Sequence, residues 1–156
     1  MNRVLRRLLL VASLCLAGPV PADQALQGID TLIVRYDGIG TDLAPYGLDR
    51  SKLESAVDEL LAQAGIRVLH DQGPADVPTV TVALRLQTTL YHFYLYNIKL
   101  TLEAALPLPE PGAWTTLQTW SDGETGAIQP DKLGRLHATA LQIVQRFLDE
   151  RAAQNG

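Results

Sequence analysis

The side chains that could perform acid–base or metal chemistry are few and scattered in this sequence. The three histidines, His70, His92 and His137, lack the His-Glu-x-x-His spacing that places two imidazoles on one helical face for zinc. Without such spacing, each is expected to be a packed or surface histidine rather than a ligand. The sequence therefore predicts neither a metal site nor a bound cofactor.

Nucleophilic and paired-carboxylate catalysis also lack a recognisable constellation. After residue 22 the chain contains three serines, Ser51, Ser55 and Ser121, and none lies in a Gly-x-Ser-x-Gly elbow. Carboxylates in loops could still meet in space, and a dyad of Asp71 and Asp122 is the remaining hydrolase hypothesis. The sequence therefore favours a protein that is not an enzyme, with a hydrolase as the less favoured alternative.

The densest aromatic and β-branched stretch covers residues 90–102. From about Tyr96 onward, apolar and polar residues alternate with a period of two, which predicts a strand with one wet face. Just before it, Tyr91, Phe93 and Leu95 occupy the side that should be polar. A loop or the ends of other strands could cover this cluster, but exposed apolar clusters also mark contact surfaces. We interpret these three residues as a candidate binding surface, to which Trp120 beside a turn would add.

The first 22 residues are expected to be a secretory signal peptide. Three arginines precede an apolar run at 8–17, which is too short to span a bilayer comfortably. Val20 and Ala22 fit the small-residue positions of a cleavage site, so cleavage is predicted after Ala22, with an uncleaved anchor as the alternative. Cleavage would release one domain, 23–156, into the periplasm.

Cleavage would also change the charge and the cysteine content. It removes three of 13 basic residues and none of the 17 acidic ones, which leaves a net charge of −7. Such a charge disfavours nucleic acid or an anionic membrane surface as the main partner. Cys15, the only cysteine, follows Leu14 where a lipobox requires a small residue, so we expect it to be lost with the signal. Nothing after residue 22 is long and apolar enough to span a membrane.

Hydrophobic periodicity predicts two helices and five strands. One helix covers 51–64, with Ser51 in a capping-box pattern, Asp49 as the alternative cap and Gly65 as its end. The second runs from about residue 130 and frays after 150. The strands are expected at 29–36, at 66–70, on both sides of a turn near 87–91, and at 114–120, where a loop at 121–126 follows.

The resulting order is β-α-β-β-β-β-α. It predicts an α+β fold, a two-layer sandwich in which two helices cover one face of a mostly antiparallel sheet. The first strand, helix and second strand suggest a βαβ unit, and the strand at 29–36 is expected in the interior of the sheet because both its faces are apolar.

With Gly65-Ile66-Arg67-Val68 directly after the first helix, then long antiparallel strands and a closing helix, the chain resembles small bacterial envelope accessory domains. The lipopolysaccharide-assembly lipoprotein LptE and the amino-terminal domain of TolB are similar in general plan. The resemblance covers most of the chain after the signal as an order of elements, and it transfers no functional residues. The resemblance implies an α+β fold with the same order of strands and helices.

The favoured hypothesis is a soluble periplasmic accessory or binding module that acts by protein–protein contact with an envelope partner. Its motivation is the export signal, the lack of catalytic constellations and the cluster at Tyr91 and Phe93. The alternative is a carrier of a small ligand or lipid, with a pocket between sheet and helices lined by Tyr94, Tyr96 and Trp114. The sequence does not define the oligomeric state.

Overall fold

A computed structural model describes residues 25–38, 41–70 and 72–156, with the side chains of 41–43 left out. The predicted signal peptide at 1–22 and Asp71 of the hydrolase hypothesis lie outside the described residues. The strands are β1 (Thr31–Asp37), β2 (Arg67–His70), β3 (Thr79–Thr88), β4 (Tyr94–Pro107) and β5 (Trp114–Ile128), and the helices are α1 (Arg50–Gln63) and α2 (Arg135–Asn155). No helix in the described part of the chain is long and apolar enough to cross a membrane.

The five strands form one sheet in the order β2-β1-β3-β4-β5. Strand β1 lies inside the sheet, parallel to both β2 and β3, as its two apolar faces predicted. Strands β3, β4 and β5 are antiparallel neighbours and contain most of the paired residues. The predicted α+β fold is therefore confirmed, including the parallel β1-α1-β2 unit.

The core fills the space between the helices and one face of the sheet. Alternate side chains of β1, β3 and β4 enter it, and the apolar stripes of α1 and α2 cover them. Phe147 of α2 is fully buried and meets Trp120 of β5 edge to face, with ring centroids 5.2 Å apart. Each such burial contributes about 1.5–3 kcal/mol relative to an exposed side chain. The buried residues of the two helices are Leu53, Val57, Leu61, Leu136, Ala140, Ile143, Val144, Phe147 and Leu148.

Helix α1 begins one residue before its predicted start because Asp49, not Ser51, is its N-cap. The Asp49 carboxylate accepts from the Ser51 backbone N–H at 3.0 Å and from the Ser51 hydroxyl at 2.9 Å. The hydrogen bond from Ser51 holds the pKa of Asp49 below its usual value. The capping-box interpretation of Ser51 was therefore wrong, and the alternative cap is the one observed.

The predicted loop at 121–126 is wrong, since these residues continue β5 in register with β4. Glycine here serves a close approach rather than a turn. A Cβ added to Gly123 would lie 2.5 Å from the Ile98 carbonyl oxygen, and one added to Gly126 would lie 2.8 Å from the Tyr96 ring. The strand also contains an irregularity opposite Leu102 and Glu103, where one extra residue is inserted.

Helix α2 does not fray after residue 150 but continues to Asn155. Its last turns bind the segment that enters β1. The Leu26 N–H donates to the Gln154 side chain at 2.9 Å, and the Gly28 N–H donates to the Asn155 side chain at 2.9 Å. The segment that precedes β1 is therefore tied to the end of α2.

Candidate functional site

The turn between β3 and β4, residues 89–93, presents the candidate binding surface. Thr89 closes this turn, because its N–H and its hydroxyl both donate to the Phe93 carbonyl, at 3.0 and 2.9 Å. His92 adopts a φ of 58°, the only positive φ of a non-glycine residue in the described chain. The turn thus places a histidine in the left-handed conformation that Asn or Gly usually adopts in tight hairpins.

Large apolar side chains protrude from this turn. Leu90 is 95% exposed, Tyr91 81% and Leu95 44%, while Phe93 is half-buried. The Tyr91 and Phe93 rings stack with centroids 6.4 Å apart and an interplanar angle of 12°. We call Leu90, Tyr91, Phe93 and Leu95 the tip cluster. Among the described residues, no loop or strand end covers Leu90 or Tyr91. Leu90 was missed in the sequence because it lies within the turn, outside the alternation.

The part of the hairpin nearest the tip cluster, residues 77–102, contains no acidic residue. Between Val77 and Leu102 the titratable side chains that can be cationic are Arg85, His92 and Lys99, in a chain whose net charge is −4. Arg85 has only a long contact with Asp37, 3.7 Å between guanidinium and carboxylate. Asp37 contacts Arg85, and Glu124 of β5 pairs with Ile98, one residue from Lys99, so this part of the sheet carries both signs of charge.

Trp120 does not join the tip cluster. It pairs with Leu102 on the face of the sheet that the helices cover, whereas Leu95 pairs with Ala127 on the other face. Leu95 and Leu102 are seven positions apart on β4, which corresponds to about 23 Å along the strand. The Trp120 ring contacts Phe147, and its indole N–H donates to Glu150 at 2.6 Å. These contacts attach α2 to β5.

The three residues predicted to line a ligand pocket lie on different surfaces. Tyr94 and Tyr96 pack at the margin of the core, and the Tyr96 hydroxyl donates to Glu124 at 2.7 Å. This hydrogen bond to a carboxylate raises the pKa of Tyr96. Trp114 instead borders a concavity of about 470 Å³ with Arg35, Glu103 and residues of the loop before β3. The structure therefore does not bring Tyr94, Tyr96 and Trp114 together.

One group of titratable side chains lies at the carboxyl ends of β1 and β2. The Asp58 carboxylate accepts from the Tyr36 hydroxyl at 3.3 Å and contacts the His70 Nε2 at 3.1 Å. Burial, followed by the nearby Asp58 carboxylate, raises the pKa of Tyr36. The nearest serine along α1, Ser55, donates to the Ser51 carbonyl at 2.9 Å. This arrangement orients an imidazole, but no nucleophile is aligned with it within the described residues.

Asp122 of the hydrolase hypothesis is engaged by a cation. Its carboxylate lies 2.5 Å from the Arg146 Nε, and this contact lowers the pKa of Asp122. Over the part of the chain that the structure describes, no group of three His, Cys, Asp or Glu side chains is arranged to hold a metal ion. Among the described residues, the candidate site is therefore the exposed apolar surface of the tip cluster.

Comparisons with known proteins identify no family. No protein-family model matches the chain, and no curated protein matches it. The 2.35 Å crystal structure of a minor lipoprotein from Acinetobacter baumannii is similar with a TM-score of 0.40 and 16% identity, over 78% of this chain and 92% of that chain. The crystal structure of an uncharacterized protein is similar with a TM-score of 0.34 and 13% identity, over 80% and 90%. Likenesses this weak neither support nor contradict the resemblance to LptE and TolB.

Proposed function

We propose that this protein is an accessory or binding module of the bacterial envelope that acts by protein–protein contact through the tip cluster. The observation that carries the proposal is the exposure of Leu90 and Tyr91, at 95% and 81%, on the end of an ordered hairpin. Exposed single apolar residues are common on protein surfaces, but three exposed ones beside a half-buried fourth at one turn are typical of a contact surface.

The geometry of the tip cluster suits a binding anchor. Tyrosine is enriched among residues that dominate binding free energies, since it buries a large area with few rotatable bonds. Tyr91 already stacks on Phe93, and Thr89 fixes the turn that carries both rings. Because the stack and the closed turn are present without a partner, binding would cost this protein less conformational entropy than binding through a flexible loop.

We place this contact outside the cytoplasm, with a partner whose surface is partly acidic. Export is supported by the basic segment and apolar run at 1–17 followed by a small-residue cleavage pattern. The positive side chains Arg85 and Lys99 lie within the two strands of the hairpin, which contain no acid between Val77 and Leu102, and Arg85 has a long contact with Asp37 of β1. A partner surface with an apolar pocket and acidic rim would complement it.

The proposal is tested by crosslinking in the native host, with a photoreactive residue at position 91. We expect the probe to capture one discrete envelope protein, and Tyr91→Ser with Phe93→Ser to reduce recovery of that protein at least tenfold. The same probe at Gln145, on the outer face of α2, is the matched control and should not capture it. Loss of the folded state in the double variant, or equal capture from both positions, would contradict the proposed site.

A further inference from the structure

The face of the sheet opposite the helices contains a concavity of about 470 Å³. Its floor is one row of residues across three adjacent strands, in which Ile33 pairs with Thr79 and Thr79 pairs with Glu103. One wall is the connection between β2 and β3, at residues 72–75, and the other wall begins at Trp114 of β5. The volume lies within the range of about 300–1,000 Å³ that small-molecule sites usually have.

The connection between β2 and β3 packs directly on the sheet, so this wall of the concavity is fixed. A Cβ added to Gly73 would lie 2.8 Å from the Ile33 Cδ1, a distance that only glycine allows. The Val77 N–H donates to the Pro74 carbonyl at 3.1 Å, and the Ile33 N–H donates to the Pro78 carbonyl at 3.0 Å. A ligand would therefore enter a site that is already formed.

The hydroxyl of Thr79 opens into this concavity. Thr79 is only 7% exposed, and it lines the concavity. Its hydroxyl has no hydrogen-bond partner in the described chain, yet the one fully enclosed side-chain atom without a partner among the described residues is His137 Nε2. Because buried polar groups almost always have a hydrogen-bond partner, the Thr79 hydroxyl must find its partner inside the concavity.

The concavity has one lining charge of each sign, on Arg35 and Glu103. Neither forms an ion pair with the other or with another described residue. They lie two strands and two positions apart, so their Cα atoms are separated by about 12 Å. The other charged side chains on this face and in the connection do not line the concavity, and they are Asp37, Arg67, Asp76, Arg85 and Lys99.

We infer that this concavity binds a small zwitterion, with its acidic group at Arg35 and its ammonium group at Glu103 and Trp114. A guanidinium binds a carboxylate or a phosphate through two parallel hydrogen bonds. An ammonium group is attracted by a carboxylate and by the face of an indole ring, and Trp114 is 41% exposed beside the concavity. The Thr79 hydroxyl can donate to the acidic group or accept from the ammonium group.

The two lining charges also disfavour ligands that carry a single charge. An anion alone would leave Glu103 without a partner in a partly desolvated site, and a cation alone would leave Arg35 without one. This inference does not rest on the tip cluster. Leu95 and Glu103 are eight positions apart on β4, which corresponds to about 26 Å along the strand.

The test is an NMR titration of the protein with four small molecules. 5-Aminopentanoate and phosphoethanolamine carry both charges, whereas pentanoate and pentylamine each carry one. We expect at least one zwitterion to bind at least tenfold more tightly than pentanoate and pentylamine, and the tighter zwitterion identifies the acidic group as carboxylate or phosphate. The sequence contains two tryptophans. The indole N–H signal of Trp114 should shift, whereas that of Trp120, which is bonded to Glu150 on the helix-covered face, should not.

Two variants assign the roles of the lining charges. Arg35→Gln and Glu103→Gln should each weaken zwitterion binding at least tenfold, while Lys99→Gln on the same face and Glu59→Gln on α1 should leave it unchanged. Pentanoate or pentylamine binding as tightly as the zwitterions would overturn the inference, because one charge would then suffice. So would the failure of both zwitterions to bind at millimolar concentration, or a shift of the Trp120 signal in place of the Trp114 signal.

Discussion

At the scale of single residues, Gly123 is required by the distance between two strands rather than by a turn. A Cβ at this position would lie 2.5 Å from the Ile98 carbonyl oxygen and 3.3 Å from the Lys99 Cα, so backbone atoms of β4 would have to move. We expect Gly123→Ala to lower the free energy of unfolding by about 1–3 kcal/mol, the usual cost of overpacking. Urea unfolding measures this change directly.

Gly126→Ala is the matched control for this prediction. Its added Cβ would meet the far end of the Tyr96 side chain, which can rotate away, although the hydrogen bond to Glu124 would then be strained. The loss should therefore be smaller than for Gly123→Ala. Equal losses would indicate that glycine is needed here for conformation and not for the close approach to Ile98.

At the scale of elements, the ion pair between Asp122 and Arg146 attaches α2 to β5 and makes this attachment sensitive to acid. The pKa of Asp122 is lowered in the folded protein, so the folded state favours its carboxylate more than the unfolded state does. The contribution is complete above the unfolded pKa, near 3.9, and is lost as the pH falls through the lowered folded value. Acid therefore lowers the free energy of unfolding, as expected for a carboxylate that has a cationic partner.

We therefore expect Asp122→Asn to reduce the dependence of stability on acid. The difference in unfolding free energy between wild type and variant should be constant above about pH 5 and should shrink below about pH 4. Denaturant unfolding at a series of pH values measures it, with Asp131→Asn on the surface as the control. A difference that stays constant down to pH 2 would mean that Asp122 stabilises the contact without its charge.

The elements differ in how well the sequence predicted them. Alternation over β3 and β4 and the helical stripe of α1 are local patterns, and all three elements are found where expected. The second half of β5 was assigned to a loop because Asp122, Gly123 and Gly126 favour turns in isolation. Their partners in the structure, Arg146 and β4, lie at least 20 residues away along the chain or across the sheet, where no local pattern reports them.

The candidate site was also predicted only in part, because a local sequence pattern does not report contacts between distant segments. The broken alternation at Tyr91, Phe93 and Leu95 marked the tip cluster. Alternate side chains of a strand share one face, so apolar residues at these positions point to the face that should be polar. Whether other segments covered the cluster depended on the tertiary structure. Trp120 lies near turn-forming residues in the sequence, but its neighbours in space are Phe147 and Glu150 of α2.

At the scale of the whole molecule, Arg151 connects three segments that are distant in sequence. Its guanidinium donates to the Ile29 carbonyl through Nε at 2.8 Å and also through Nη2, and to the Ala64 carbonyl at 3.3 Å. It therefore joins the end of α2 to the entry of β1 and to the C-cap of α1. The Ile29 carbonyl precedes β1 and the Ala64 carbonyl ends α1. The two groups therefore come from opposite ends of the β1-α1 unit and meet at the Arg151 guanidinium.

Arg151→Met should keep most of the packing of the side-chain stem and remove these hydrogen bonds. Because hydrogen bonds to charged groups contribute about 1.5–3 kcal/mol, we expect a loss of unfolding free energy in that range. Hydrogen exchange should also accelerate at Leu26 and Gly28, whose N–H groups bind the following turn of α2. Arg135→Met, at the start of α2, is the control for loss of a cationic side chain. Unchanged exchange at Leu26 and Gly28 together with unchanged stability would show that the entry of β1 is held by its apolar contacts alone.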